Sequence, residues 1–118
     1  MDESLYCKLF VDSSLDIDEL AGLLSKLVKG SVDSFHKIRT ELLTLDCMVS
    51  HSRDELLSRV SEDGFIFYKF YLDIEPVIGV PRDEYISQIG SLIGLLRARD
   101  IKAVPACDFE DELRELSG

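Results

Sequence analysis

The feature that most constrains the fold is an alternating pattern that occurs twice in the chain of 118 residues. Residues 6–12 read YCKLFVD and residues 67–73 read FYKFYLD, so both follow aromatic-x-Lys-x-aromatic-x-Asp. Successive side chains of a β-strand point to opposite faces of the sheet. Each copy therefore predicts a strand with one buried apolar face and one face of rings and charges. A segment with helical periodicity follows each copy, which indicates two β-α halves.

The first half predicts a strand over residues 4–12, then a helix, then more strand. Gly30 follows the helical segment, at the position where helices commonly end. Residues 41–50 alternate and predict a strand, whereas residues 32–37 form either a separate short strand or the first part of one bent strand. Residues 51–63 are polar, with a helical turn around 54–60. The helix is indicated by apolar residues with the spacing of one helical face: Leu20, Leu23, Leu24, Leu27 and Val28.

The second half predicts a long strand from Phe65 to about Glu75 and a helix that begins near Pro81. Two glycines four residues apart in this helix, Gly90 and Gly94, are expected to let it approach the sheet closely. Residues 101–107 predict a last short strand. Asp108 is then expected to cap a terminal acidic turn through the amide of Asp111. The buried stripe of the helix is expected to comprise Ile86, Ile89, Ile93 and Leu96.

The order of these elements is β-α-β-(β)-β-α-β, which predicts a single α+β domain over residues 1–118. Two matching halves favour a ferredoxin-like sandwich, in which both helices cover one face of an antiparallel sheet. The two alternating strands are central neighbours in that fold, and the start of the first helix is expected at the same edge as Asp73 and Glu75. The uncovered face would carry Tyr6, Lys8, Phe10, Asp12, Phe67, Lys69, Tyr71 and Asp73.

The formal net charge of −10 restricts the class of partner. Such a charge repels nucleic acid and anionic membrane surfaces, and it attracts basic proteins. Stacking of single-stranded RNA on the sheet aromatics would need a basic surround, and the RNP1 string is absent. No apolar run approaches the roughly 20 residues that span a bilayer. The acidic start of the chain lacks the pattern of a signal peptide, so we expect a cytoplasmic protein.

The chain lacks the sequence patterns of common enzymes and cofactor sites. Cys7, Cys47 and Cys107 are far apart and predict buried, reduced thiols without a metal. His36 and His51 are the two histidines, and neither belongs to a G-x-S-x-G, H-E-x-x-H or glycine-rich phosphate motif. An EF-hand calcium loop is also absent. We therefore predict a protein without enzymatic activity, metal or cofactor.

The candidate partner-binding surface combines the open aromatic face with nearby acidic residues. Exposed aromatic patches are often interaction surfaces. One alternative stays open, namely that Lys and Asp alternate only to form cross-strand ion pairs. Acids at helix starts also have a structural explanation, since they cap the helix and complement its dipole. The residues predicted to bind a partner are Tyr6, Phe10, Asp12, Phe67, Tyr71, Asp73, Glu75, Asp108, Glu110 and Asp111.

Three stretches together resemble a known group of proteins: Tyr6-Cys7-Lys8, YLDIEP at 71–76 and ACDFEDEL at 106–113. In this order and spacing they resemble small acidic bacterial immunity proteins of polymorphic or contact-dependent toxin systems. The resemblance implies a cytoplasmic inhibitor that binds and blocks one cognate toxin domain.

An alternative interpretation is a small-ligand regulatory module similar to ACT domains, which would form a homodimer with the ligand in its interface. It ranks second because residues 12–18 lack the glycine that such a module carries between its first strand and helix. Homodimer formation through the open sheet is left undecided by the sequence.

Overall fold

Residues 4–61 and 63–117 are described by a computed structural model of the chain. The strands are β1 (Cys7–Asp12), β2 (Ser31–Val32), β3 (Lys37–Arg39), β4 (Leu43–Val49), β5 (Phe70–Pro76) and β6 (Lys102–Ala106). The helices are α1 (Ile17–Val28), α2 (Glu55–Val60), α3 (Arg82–Arg97) and α4 (Glu110–Ser117), and a 3-10 helix (Gly64–Phe67) precedes β5.

The six strands form one antiparallel sheet in the order β2-β3-β4-β5-β1-β6. The predicted α+β class and antiparallel sheet are confirmed. The order of the strands differs from the predicted sandwich because the hairpin of β2 and β3 extends the sheet beyond β4. The region 32–50 therefore contains separate short strands before β4 and is not one bent strand.

Helices α1 and α3 pack side by side on one face of the sheet and enclose the core. The alternation of β1 and β5 directs Leu9 and Leu72 into this core, where both are fully buried. Helix α1 begins with a capping box, in which the Asp16 carboxylate accepts from the Glu19 amide at 2.8 Å and Glu19 accepts from the Asp16 amide at 3.2 Å. Such reciprocal caps satisfy amides that the helix itself leaves free. The helices contribute Leu20, Leu24, Ile86, Ile89 and Ile93.

Helix α4 packs on α3 at a glycine. A Cβ added at Gly90 would lie 2.8 Å from the Cβ of Leu116, closer than real Cβ atoms approach. Gly90 therefore makes room for α4. The prediction that Gly90 lets α3 approach the sheet closely is wrong, because its close neighbour is α4. Below this contact, the buried hydroxyl of Tyr85 donates to the Leu5 carbonyl at 2.6 Å and to the Ile74 carbonyl at 3.2 Å. Tyr85 thus ties the start of β1 to the end of β5.

The second alternating stretch is not one continuous strand. Residues 64–67 form the 3-10 helix and β5 begins only at Phe70, so the predicted strand start at Phe65 and the placement of Phe67 on the strand face are wrong. In this turn the Phe65 ring packs edge-on against Phe10, with centroids 5.3 Å apart. The 3-10 helix thereby covers part of the sheet face opposite α1 and α3, which the sequence predicts to be uncovered.

The pairing of β1 with β5 also corrects the predicted position of the first helix. The strands are antiparallel, with Lys8 opposite Asp73 and Phe10 opposite Tyr71. β1 therefore ends, and α1 begins, at the opposite end of the sheet from Glu75. The expected acidic rim of Asp73, Glu75 and the start of α1 does not form.

Candidate protein-binding surface

Four acidic residues and Tyr6 lie at the end of the sheet where β1 begins and where β5 and β6 end. Lys8 lies opposite both Asp73 of β5 and Ala106 of β6, so the residues just outside this row come together. We call this group the acidic edge. It comprises Tyr6, Asp73, Glu75, Asp108 and Glu110.

Hydrogen bonds hold several members of the acidic edge in place. The Tyr6 hydroxyl donates to the Asp73 carboxylate. The Ser4 amide donates to the Asp108 carboxylate at 3.3 Å. This bond replaces the predicted cap of the Asp111 amide by Asp108. The Cys107 amide donates to the Glu110 carboxylate at 3.2 Å, which fixes the start of α4 against the end of β6.

The acidic edge is accessible and strongly negative. Tyr6 is 38% exposed and Glu75 is exposed. Within residues 4–61 and 63–117, Glu75 makes no side-chain hydrogen bond or ion pair, so its charge is available to a partner. Partial burial raises the pKa of the Tyr6 hydroxyl, and the bond to Asp73 raises it further. Tyr6 therefore stays a neutral donor among carboxylates.

The centre of the open face has its charges largely satisfied within the sheet. The Lys8 ammonium lies over the Tyr71 ring at 4.5 Å and near the Phe10 ring at 5.2 Å. Lys37 of β3 and Asp46 of β4 lie opposite each other and approach to 3.8 Å. Within residues 4–61 and 63–117 no ion pair joins Lys8 or Lys69 to Asp12 or Asp73, so the cross-strand ion pairs offered as an explanation for the alternation are not observed. At the acidic edge, the exposed Glu75 adds carboxylate charge.

The remaining predicted residues lie elsewhere. Phe10 is only 8% exposed, since the 3-10 helix covers it. Tyr71 is half-buried beneath Lys8. Asp111 follows Glu110 in α4 and pairs with Arg114 at 3.2 Å. Asp12 and Phe67 lie at the opposite end of the sheet from the acidic edge.

Asp12 and Phe67 line a cleft with a volume of about 620 Å³. The cleft lies between the β1–α1 turn, α2 and the turn before β6, and the sequence does not predict it. Three basic residues face it, Arg53, Lys69 and Lys102. Their positions 53, 69 and 102 are far apart along the chain, so no local pattern indicates that they come together.

The segment before β5 carries exposed apolar side chains that are not predicted from the sequence. Residues 51–63 are mostly polar, which hides the few apolar positions. Helix α2 buries none of its residues. The sequence pattern that indicates this apolar helix face is the spacing of Leu56 and Val60, which are four residues apart. Both side chains are 68% exposed. A helix with an exposed apolar face adds a second candidate contact area, next to the cleft.

The thiols are buried or half-buried, and His36 makes a contact within the fold. Cys7 and Cys47 are buried, as predicted, and Cys107 is half-buried; all three are free thiols. His36 contacts the Asp18 carboxylate at 2.6 Å and so ties the β2–β3 hairpin to α1. In the described part of the chain, no group of three or more Cys, His, Asp or Glu side chains is arranged to hold a metal ion.

Among the helices of the described residues, none has the length and apolar character needed to cross a membrane. Comparisons of the chain with protein-family models, with curated proteins and with solved structures found no match.

Proposed function

We propose that this chain is a non-enzymatic acidic binding protein that neutralises a cognate basic protein, most consistently as an immunity protein for a bacterial toxin domain. The observation that carries the proposal is the convergence of Tyr6, Asp73, Glu75, Asp108 and Glu110 on one accessible edge. The resemblance of the sequence to immunity proteins supports the same role.

The electrostatic field of the whole chain and the local surface both favour a basic partner. A net charge of −10 steers a basic partner toward the protein and accelerates association. Tight binding also requires side chains that become desolvated at the centre of the interface. The exposed ring of Tyr6 supplies such a group, and its hydrogen bond to Asp73 reduces the entropy that binding would otherwise cost.

The fold of the binding protein is interpreted here as a ferredoxin-like core with one additional hairpin. The inner order β4-β5-β1-β6, with α1 and α3 on one face, supports this interpretation. On this view β2 and β3 are an insertion at one edge of the sheet.

The test is co-expression of the tagged chain with the product of the neighbouring upstream gene. We expect a one-to-one complex that survives purification and associates more slowly as salt rises. The double variant Glu75→Lys and Asp108→Lys should weaken binding by at least tenfold. Asp63→Lys is the matched control, because Asp63 is exposed and precedes β5 at the opposite end of the sheet.

Two outcomes would contradict the proposal. Absence of any complex would remove the immunity role. A complex that is indifferent to salt and equally sensitive to Asp63→Lys would remove the acidic edge as the binding surface.

A second candidate function is a small-ligand module that forms a homodimer, and the cleft favours it. A volume of about 620 Å³ is within the range of ligand pockets. A thermal-shift screen of amino acids and nucleotides tests this candidate, since a ligand at 100 times its dissociation constant adds about 2.7 kcal/mol of stability. A screen without any stabilisation would dismiss it.

A further inference from the structure

We infer that Cys7 and Cys107 form an oxidation site that closes to an intramolecular disulfide. Lys8 of β1 pairs with Ala106, the last residue of β6, so Cys7, one residue outward on β1, lies beside Cys107, the first residue after β6. Both side chains belong to the core side of the sheet, where Cys107 packs against the cluster that contains Cys7. Each thiol is close enough to the other to influence its pKa.

Cross-strand geometry matches the requirements of a disulfide. Directly opposite residues of an antiparallel pair have Cα atoms about 4.5 or 5.5 Å apart. Disulfides span Cα separations of about 4.4–6.8 Å. The separation of paired positions therefore lies within the span of a disulfide. Cys47 is the internal control, since it lies in β4, on the far side of β5 from β1.

The two thiols differ in their exposure to solvent, and this difference determines which thiol is oxidised first. Cys7 is fully buried, whereas Cys107 is half-buried at the end of β6. Hydrogen peroxide therefore meets Cys107 first and oxidises its thiolate to a sulfenic acid; the O–O bond breaks, one oxygen is transferred to sulfur, and the other leaves as hydroxide and becomes water with the proton released by the thiol. The Cys7 sulfur then attacks the Cys107 sulfur, the S–S bond forms, and the sulfenic oxygen leaves as a second water with the proton of Cys7. Two thiols lose two electrons, and one hydrogen peroxide accepts them.

Burial raises the pKa of both thiols. The reactive thiolate is therefore scarce at neutral pH, and oxidation is expected to be slow and to accelerate as pH rises. This behaviour separates the pair from a catalytic cysteine, whose pKa is lowered.

The disulfide would lie directly beneath the acidic edge. Tyr6 precedes Cys7 and Asp108 follows Cys107, so the new bond would join the two backbones that carry these side chains. It would also close a loop of about 100 residues, which strongly restricts the unfolded chain. The inference does not depend on the proposed partner.

The test uses the full-length reduced protein treated with hydrogen peroxide at pH 7 and pH 9, followed by thiol counting in denaturant and non-reducing peptide mapping. Of the three cysteines, we expect one thiol to remain and a Cys7–Cys107 peptide to appear, faster at pH 9. The melting temperature should rise by roughly 10 °C and return after reduction. The variant Cys47→Ser should behave like the native chain, and Cys107→Ser should not gain the bond.

The peptide map of the native chain alone decides the matter if either variant folds poorly. Retention of all three thiols would overturn the inference. A disulfide that includes Cys47, a disulfide between two chains, or oxidation of Cys107 without a bond to Cys7 would overturn it equally.

Discussion

Residues 6–12 and 67–73 carry the same classes of side chain but occupy different structures. The first copy is β1 almost throughout, whereas the second leaves the 3-10 helix and enters β5 only at Phe70. The difference goes together with a contact between the first copy and the residues before the second, in which the Phe65 ring packs against Phe10. A tertiary contact thus overrides the strand preference of the residues that precede β5.

The antiparallel register explains why the same pattern suits both central strands. Read in opposite directions, the two copies place Lys8 opposite Asp73 and Phe10 opposite Tyr71. The Lys69 amide in turn lies 3.5 Å from the Asp12 carboxylate. A single pattern used twice therefore places opposite charges and rings at facing positions of the two central strands, where Lys8 contacts the rings of Phe10 and Tyr71. Glu75 has no cation at the facing position of a neighbouring strand, and it lies at the acidic edge.

The largest expected difference between the copies concerns their second aromatic residues. Phe10→Ala should lower the free energy of unfolding by about 3–4 kcal/mol, because the ring is buried between the sheet and Phe65. Tyr71→Ala should cost about 1–2 kcal/mol, since that ring is already partly exposed beneath Lys8. Urea unfolding of both variants measures the difference. Equal losses would show that the 3-10 helix does not cover the first copy.

Tyr85 bonds the residue just before the first copy and the residue just after the second, from the core side. Tyr85→Phe removes the donor to the carbonyls of Leu5 and Ile74 and should cost about 1–2 kcal/mol. Urea unfolding of this variant near neutral pH measures that loss. The edge-on contact between the rings of Tyr85 and Phe109 is expected to remain in the variant. A loss below a few tenths of a kcal/mol would contradict the role of the hydroxyl.

The ionisation of Tyr85 predicts a loss of stability in alkali. Burial, with the nearby Cys7, Cys107 and Glu75, raises the pKa of the Tyr85 hydroxyl above its ordinary value of 10.0. The unfolded chain therefore releases this proton at lower pH than the folded chain, and stability falls as pH rises above the unfolded pKa. Between about pH 9 and 11 the native chain should lose more stability than Tyr85→Phe. Parallel pH profiles would contradict the assignment.

The contact between Phe10 and Phe65 can be isolated by a double-mutant cycle. We expect a coupling free energy of about 1 kcal/mol between Phe10→Leu and Phe65→Leu, since edge-on rings contribute beyond their buried area. The cycle of Phe10→Leu with Phe67→Leu is the matched control and should show smaller coupling. Coupling near zero in both cycles would mean that another contact turns the chain before β5.

The smallest effect on stability is expected at the acidic edge. Tyr6→Phe removes the hydrogen bond to Asp73 but should cost less than about 0.5 kcal/mol, because the group is largely at the surface. Its effect should appear instead in the rate at which a bound partner dissociates. A destabilisation as large as that of Tyr85→Phe would show that Tyr6 is part of the fold and not of a binding surface.

The sequence predicts the regular parts of this fold well. Alternation locates β1 and β4, and helical spacing locates α1 and α3, because burial on one side imposes those periods. The contact of Leu116 with Gly90 and the contact of Phe65 with Phe10 each join residues that are far apart in the chain. Such contacts leave no local period, so the neighbour of Gly90 and the true start of β5 are not predictable from the pattern.

The candidate site divides in the same way. Tyr6 and Asp73 are correctly placed on one face because a strand fixes the side of each residue. Their position relative to Asp12 depends on the directions of β1 and β5, and the expected position of the first helix beside Asp73 and Glu75 does not agree with the antiparallel pairing of these strands. The basic residues of the cleft come from three separate segments, and only the folded chain brings them together.

The central claim is that the two copies pair antiparallel and so carry Tyr6 and Glu75 to the same edge. Nuclear Overhauser contacts between backbone protons test it directly. We predict cross-strand contacts between Lys8 and Asp73 and between Phe10 and Tyr71. Contacts of Lys8 with Lys69 and of Asp12 with Asp73, the partners in a parallel pairing, would contradict the account.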